Sequence, residues 1–379
     1  MTGRSPSQHA EGAMDVVFLG LVVALAAFGF IMLLSASGPA GYERFHDSFY
    51  FAKHQLAYGL LPGLLGLFVL SRIPYMFWKR HAWELLLVSV GLLVLVFIPG
   101  VGTTLGKGAH SWISIGGFFT LQPAELAKMT FLFYLAAWLE TRGERGVRDT
   151  HAGFIPFVSV LGLIMLLMYL QPDVGTMSIM VAMALAVYFV GGASLWHLGL
   201  LGAAGVGLFA LLIKVAPYRA ARFMTFLHPE WDPKGVGYHI NQALLAIGSG
   251  GLFGLGYGHS RQKFQYLPEV AGDSIFAVIA EEMGFFVATA LLVLFLLLLY
   301  RGLRIAAAAP DAFGRYVVIG TLSWIVIQAF VNIGSMAGVL PMTGVTLPFV
   351  SYGGTSLAVT LASVGVVLNI SRYGKKTAS

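Results

Sequence analysis

The chain has 379 residues, of which 58% are hydrophobic and 11% charged, whereas a water-soluble domain carries about 25% charged residues to cover its surface. Lipid must therefore solvate most of this exterior, and the 23 basic against 17 acidic residues sit in short loops beside apolar runs, a topogenic pattern that argues against a nucleic-acid partner. The absence of cysteine excludes disulfides and thiolate metal sites.

The first apolar run, Val16 to Leu34, exceeds the roughly 7–15-residue core of a cleavable signal and reads as a retained span. Further apolar stretches, each long enough to cross a hydrocarbon core as a helix, fall near 52–71, 82–99, 122–140, 152–170, 174–192, 197–214, 275–300, 315–335 and 354–371. The expected fold class is an all-α polytopic integral membrane protein with about ten transmembrane helices. It forms a single membrane domain over residues 1–379, with a large extracytoplasmic loop over 215–274 between spans 7 and 8. Arg72, Lys79 and Arg80, then Arg142, Arg145 and Arg148, then Arg301, Arg304 and Arg315, and finally Arg372, Lys375 and Lys376 occupy alternate connections and the tail. The positive-inside rule then places both ends of the chain in the cytoplasm.

Taken in chain order, the first polar group inside an apolar context is Gln122, Pro123, Glu125 and Lys128 at the head of the fourth span. Glu125 and Lys128 lie three apart on one helix face, so mutual neutralisation is expected, and this is compatible with facing a polar cavity. Gln171-Pro172-Asp173 ends the fifth span, and Asp173 is placed to N-cap the sixth.

In the long loop, Ile240, Ala243, Leu244 and Ile247 recur at i, i+3, i+4 and i+7. That spacing predicts an amphipathic helix ended by Gly248. The glycine-rich run Gly248–Gly258 is no dinucleotide fingerprint, because no strand precedes it. Its glycines suit either close backbone approach or a flexible loop with helix packing. Asp273 then stands at the non-cytoplasmic mouth of the eighth span. It is either a helix N-cap stabilised by the dipole, or a partly desolvated carboxylate able to serve as a general base. Glu281 and Glu282 lie about two turns deeper, where carboxylates are expensive, and a structural pair with a buried cation is expected. Pro341, Gly344, Pro348 and Ser351-Tyr352-Gly353-Gly354-Thr355-Ser356 make a broken, hydroxyl-rich approach to the last span. Irregular backbone at that depth belongs where it lines a cavity or is buried in protein.

In order, these segments resemble the SEDS (shape, elongation, division and sporulation) family of bacterial peptidoglycan glycosyltransferases. The likeness covers nearly the whole chain. It is densest over Pro217–Gly284, with Gly235-Val236-Gly237-Tyr238-His239-Ile240, Tyr266-Leu267-Pro268-Glu269 and then Asp273. Leu340–Phe349 is similar to the division branch of the family more than to the elongation branch. Two departures stand out. His110 and Ser111 precede Trp112 where two basic residues are common, leaving Lys107 as the nearby charge, and Ala271-Gly272 precedes Asp273 where His-Thr is common.

The resemblance implies polymerisation of lipid II at the outer face of the bacterial cytoplasmic membrane, with Asp273 as the catalytic base and inversion of the donor linkage. It also matches Trp112, Gln122, Glu125 and Lys128 to family positions as substrate contacts, Trp112 either stacking on a sugar or anchoring the interface, and Asp173 and Ser351 are further candidate substrate contacts. Arg219, Arg222 and Lys263 are the candidate clamp for the leaving pyrophosphate, snorkelling to lipid phosphates being the alternative for each. No cofactor is implied beyond a divalent cation, magnesium or manganese, that could bridge the pyrophosphate; the metal ligands stay unknown. Expected partners are lipid II, a class B penicillin-binding transpeptidase, other divisome proteins and membrane lipids. A lipid II flippase or other transporter, using Glu125, Lys128, Glu281 and Glu282 as a path, is the alternative from another class, and a non-catalytic scaffold is a third.

Overall fold

A computed structural model describes residues 12–103, 111–115, 119–215, 226, 228, 235 and 237–374. Helix α1 (Val16–Phe45) leads to α2 (Tyr50–Gln55), which runs through a π turn (Leu56–Leu60) into α3 (Leu61–Leu70). Then follow α4 (Met76–Arg80), α5 (Ala82–Leu95), three short strands, α6 (Pro123–Arg148), a π turn (Thr150–Phe154), α7 (Ile155–Leu170), α8 (Val174–Val190) and α9 (Leu195–Val215). The chain closes with α10 (Tyr238–Gly250), α11 (Ile275–Ala308), α12 (Ala312–Met336) and α13 (Gly354–Arg372). Among the described residues five helices are long and apolar enough to cross a membrane, and three shorter apolar helices accompany them.

The most buried of the five are α12 and α13, at 67% and 72% of their apolar windows, against 28% for α11. α12 packs against α6, α8, α11 and α13 and so forms the centre of the bundle. Small residues allow the closest approach. A Cβ on Gly365 would meet the Leu67 carbonyl at 2.6 Å, and one on Gly63 would meet Leu361 at 2.6 Å, which lets α3 and α13 pack backbone to backbone.

The all-α expectation is corrected by a small antiparallel sheet, β1 (Gly102–Thr103), β2 (Trp112–Ile115) and β3 (Phe119–Leu121), in order β1-β2-β3. Its β-branched and aromatic residues alternate with the polar Ser114 and Thr120, a period-2 signal too short to stand out beside twenty-residue apolar runs. Helix lengths differ as well: α1 extends to Phe45 and α11 to Ala308, beyond the apolar cores that composition marks out.

One end of the bundle gathers the basic turns. Arg301 Nε donates to Asp15 Oδ2 at 2.9 Å, Lys79 pairs with Glu140, and Tyr75 Oη donates to Asp311 Oδ2 at 2.7 Å.

The glycine-rich run has a definite architectural role. α11 breaks at Gly284 (φ 75°), which leaves backbone groups of its second and third turns without helical partners. The run supplies them: Leu255 N–H donates to Glu281 O and Gly256 N–H to Glu282 O, both at 2.9 Å, while Phe285 N–H donates to Gly251 O at 2.9 Å. Gly254 (φ 81°) must be glycine for this approach, since a Cβ there would lie 2.1 Å from the Glu282 carbonyl. Helix packing, and not flexibility, explains these glycines. The preceding α10 is amphipathic as expected but continues to Gly250, and its buried stripe is Ile240, Ala243, Ala246 and Gly250. The alanines face inward because α10 lies close against α11, which turns Leu244 outward.

Candidate active site

The segment between the glycine run and α11 is anchored from below by a buried charge cluster. Lys263 Nζ donates to Glu282 Oε1 at 2.8 Å, Gly258 O at 2.8 Å and Ser35 Oγ at 3.0 Å. Glu282 also accepts from Ser35 Oγ and from the Gly258 and Ser260 amides. Glu281 accepts from Ser260 Oγ and the Arg261 amide. All three donors of the ammonium are thus used, and its charge is neutralised by a carboxylate that is itself fully buried. Lys263, the expected pyrophosphate clamp, lines the cavity and pairs with Glu282 beneath it, and that structural pairing is what was expected of Glu282.

Above this anchor the chain bends sharply through Gln265 (φ 67°) and Glu269 (φ 49°), left-handed conformations that non-glycine residues adopt at a cost. It is then fastened from the other side. Ser351 Oγ donates to Gly272 O at 2.7 Å, Tyr352 N–H to Ala271 O at 2.7 Å, and Asn332 Nδ2 to Asp273 O at 2.7 Å. Asn332 also donates to Val345 O at 2.8 Å and so ties both irregular segments to the central helix α12. Ser274, not Asp273, takes the N-cap position of α11, and no side chain caps that helix. The Asp273 carboxylate instead lines a cavity, beside Gly344 (φ 72°), where an added Cβ would stand 3.8 Å from Oδ2.

The cavity holds about 900 Å³ and is lined by Trp112, Gln122, Glu125, Asp173 and Asp273 together with the edge of Lys263. Six of the expected site residues therefore meet in one space although they are up to about 160 positions apart in sequence. Asp173 does cap α8, accepting from Thr176 N–H at 3.0 Å, and its other oxygen accepts from Gln122 Nε2 at 3.0 Å. Burial pushes the Asp173 carboxyl up; the Thr176 bonds pull it back, and Glu125 pushes it further up.

Lys128 pairs with Glu125 at 2.9 Å and donates to Gln328 Oε1 at 3.0 Å, with its ammonium over the Trp324 ring. It does not line the cavity, and neither does Ser351. Of these two expected substrate contacts, one pairs with Glu125 and the other donates its hydroxyl to the Asp273 segment. Ser351→Ala removes the bond to Gly272 and the acceptor for Leu347 N–H, which should cost about 1–3 kcal/mol for the groups left unpaired. Catalytic rate should fall more than substrate affinity, as steady-state kinetics would register.

Arg219, Arg222, Lys107 and His110 lie outside the described residues. Gln328 and Asn332 went unnoticed in the sequence, although two amides four apart on one face of an apolar span are a signal for buried polar work. Among the described residues no group of three or more His, Asp or Glu side chains is arranged to hold a metal ion.

The cell cycle protein family of FtsW, RodA and SpoVE matches residues 15–376. The chain belongs to this family. Stage V sporulation protein E of Bacillus subtilis (strain 168) is 42% identical over 95% of this chain and 98% of its own length. A probable peptidoglycan glycosyltransferase FtsW of Trichlorobacter lovleyi is 41% identical, covering 97% of this chain and 95% of the relative. Among solved structures, a chain from a peptidoglycan synthase complex described as coordinating polymerization and crosslinking superposes with a TM-score of 0.78 at 32% identity, over 95% of this chain and 98% of that one. The rod shape determining protein RodA of Thermus thermophilus superposes at 0.70, also at 32% identity, over 95% and 97%. The SEDS expectation drawn from the sequence is therefore met along the whole described fold.

Proposed function

We propose that this SEDS protein is a peptidoglycan glycosyltransferase that polymerises lipid II into β-1,4 glycan strands during cell division, with the cavity as its reaction chamber and Asp273 as general base. The observation that carries the assignment of the base is the fastening of residues 271–273 by Ser351, Tyr352 and Asn332. A carboxylate held this way does not have to reorganise during the reaction. Asp273 takes the proton from the acceptor's 4-hydroxyl as that oxygen bonds to the donor's anomeric carbon. The bond from that carbon to the pyrophosphate oxygen breaks, and the lipid pyrophosphate leaves. Direct displacement converts the α-linked donor into a β-1,4 linkage. Gln122 and Asp173, hydrogen-bonded to each other on the cavity wall, are placed to orient sugar hydroxyls, and Trp112 to stack on a sugar face.

The reading includes about ten spans with both ends in the cytoplasm, by the positive-inside rule. The cavity opens at the opposite end, on the extracytoplasmic side, with residues 263–273 on its lining. Arg219 and Arg222 are candidate pyrophosphate contacts. A class B penicillin-binding transpeptidase and other divisome proteins are the expected partners. Identity to the sporulation and FtsW relatives, at 40–42%, exceeds the 32% to RodA and favours a division role over elongation.

Purified full-length protein should convert fluorescent lipid II into polymer, alone or with its transpeptidase. Scrambling of lipid II across liposomes without any polymer would sink this reading in favour of the flippase.

A further inference from the structure

The α1–α2 hairpin brings a cation, Arg44, to the cavity lining. α1 has 30 residues, about 45 Å at 1.5 Å per residue, against about 30 Å for a hydrocarbon core. Its last turns, which carry Arg44, therefore stand at the level of lipid headgroups. The turn that follows is tightly built. His46 (φ 54°) caps α1, a Cβ on Gly41 would meet the Asp47 carbonyl at 2.7 Å, and the Phe45 ring stacks on Tyr50 with centroids 3.6 Å apart. Tyr50 in turn stacks on His54 at 4.6 Å.

Charge in the hairpin is already sorted. Asp47 accepts from Lys53 Nζ at 2.7 Å and from Phe49 N–H at 2.9 Å, so this aspartate and lysine neutralise each other. Arg44 lines the cavity, is exposed, and pairs with no carboxylate among the described residues. Glu43 is its neighbour in sequence, and adjacent helix positions do not face each other. His54 lines the same wall. The other charged groups on the lining are carboxylates, Glu43, Glu125, Asp173, Glu269 and Asp273, apart from Lys263, which Glu282 neutralises. A pyrophosphate entering such a space needs a cation, and a guanidinium matches phosphate oxygens with two parallel hydrogen bonds.

We propose that Arg44, with His54 beside it, binds the pyrophosphate of the lipid-linked substrate at the outer mouth of the cavity. This rests on the lipid II reading and assigns its phosphate contact to the α1–α2 hairpin. The bland role for Arg44 is to stabilise the C-terminus of α1 through the helix dipole, which would change thermal stability and leave affinity alone.

The test uses the full chain carrying Asp273→Asn, so that binding is read without turnover, and fluorescent lipid II as the probe. Adding Arg44→Ala should raise Kd at least about tenfold, the loss of one charge-assisted contact, while Arg44→Lys gives an intermediate value. Inorganic pyrophosphate should displace lipid II less well from Arg44→Ala. If that protein does not fold, Arg44→Gln takes its place. Unchanged affinity in the folded variant overturns the proposal while the polymerase reading stands. A chain that neither binds nor polymerises lipid II with Arg44 intact removes both.

Discussion

Asp273→Asn is expected to abolish polymer formation while leaving the protein folded and able to bind lipid II. Asparagine keeps the shape and the backbone bonds that Ser351, Tyr352 and Asn332 make to residues 271–273, because those bonds use main-chain carbonyls. What it loses is a group that can accept the acceptor hydroxyl's proton. Positioned general bases are worth about 10²–10⁴ in rate, so kcat should drop by that order with KM little changed. Single-turnover polymerisation of fluorescent lipid II, beside a binding measurement on the same preparation, separates the two quantities. Wild-type rates from the variant would remove Asp273 from the chemistry and pass the role to another carboxylate on the cavity wall, of which Asp173 is the best placed.

The second large effect concerns stability. Removing the ammonium with Lys263→Ala leaves Glu282 buried without a counter-charge, although Ser35 Oγ and two backbone amides still donate to it. Breaking a buried pair from one side costs about 3–5 kcal/mol, mostly the penalty of the orphaned charge. Thermal unfolding in detergent should show the loss. The double variant Lys263→Ala with Glu282→Gln should recover part of it, since the stranded charge is gone. A Lys263 that served mainly as a phosphate contact would behave differently: Lys263→Ala would weaken lipid binding at unchanged thermal stability, and Glu282→Gln would rescue nothing. Because the cluster fixes the segment leading to Asp273, the destabilised variant should also polymerise more slowly at temperatures where it remains folded.

Much of the site could be read from the residues. Asp273 at the head of an apolar span, Glu125 and Lys128 three apart, and Asp173 before a new helix are local patterns, and local rules of capping and pairing apply to them directly. The pairing of Lys263 is not legible in the sequence for an equally physical reason. A basic residue in a polar loop looks exposed in sequence, and only the return of that loop onto the break at Gly284 brings Glu282 and Ser35 to it. Arg44 is not marked out in the sequence because the apolar run of α1 ends at about Leu34, while the helix runs on to Phe45.

By itself the sequence determined that the chain is a multi-pass, largely helical membrane protein and the family to which the pattern of Asp273 and its flanking motifs belongs. These follow from hydropathy, helix length and residue order, which need no knowledge of neighbours. The tertiary structure alone decided which polar groups share a space. It put Trp112, Gln122, Glu125, Asp173 and Asp273 around one cavity, withdrew Lys128 and Ser351 from its wall, and neutralised Lys263. In a membrane interior a charge is tolerable only with a partner. The chemistry left to each residue therefore depends on who that partner is, and packing sets that pairing across more than a hundred positions of chain.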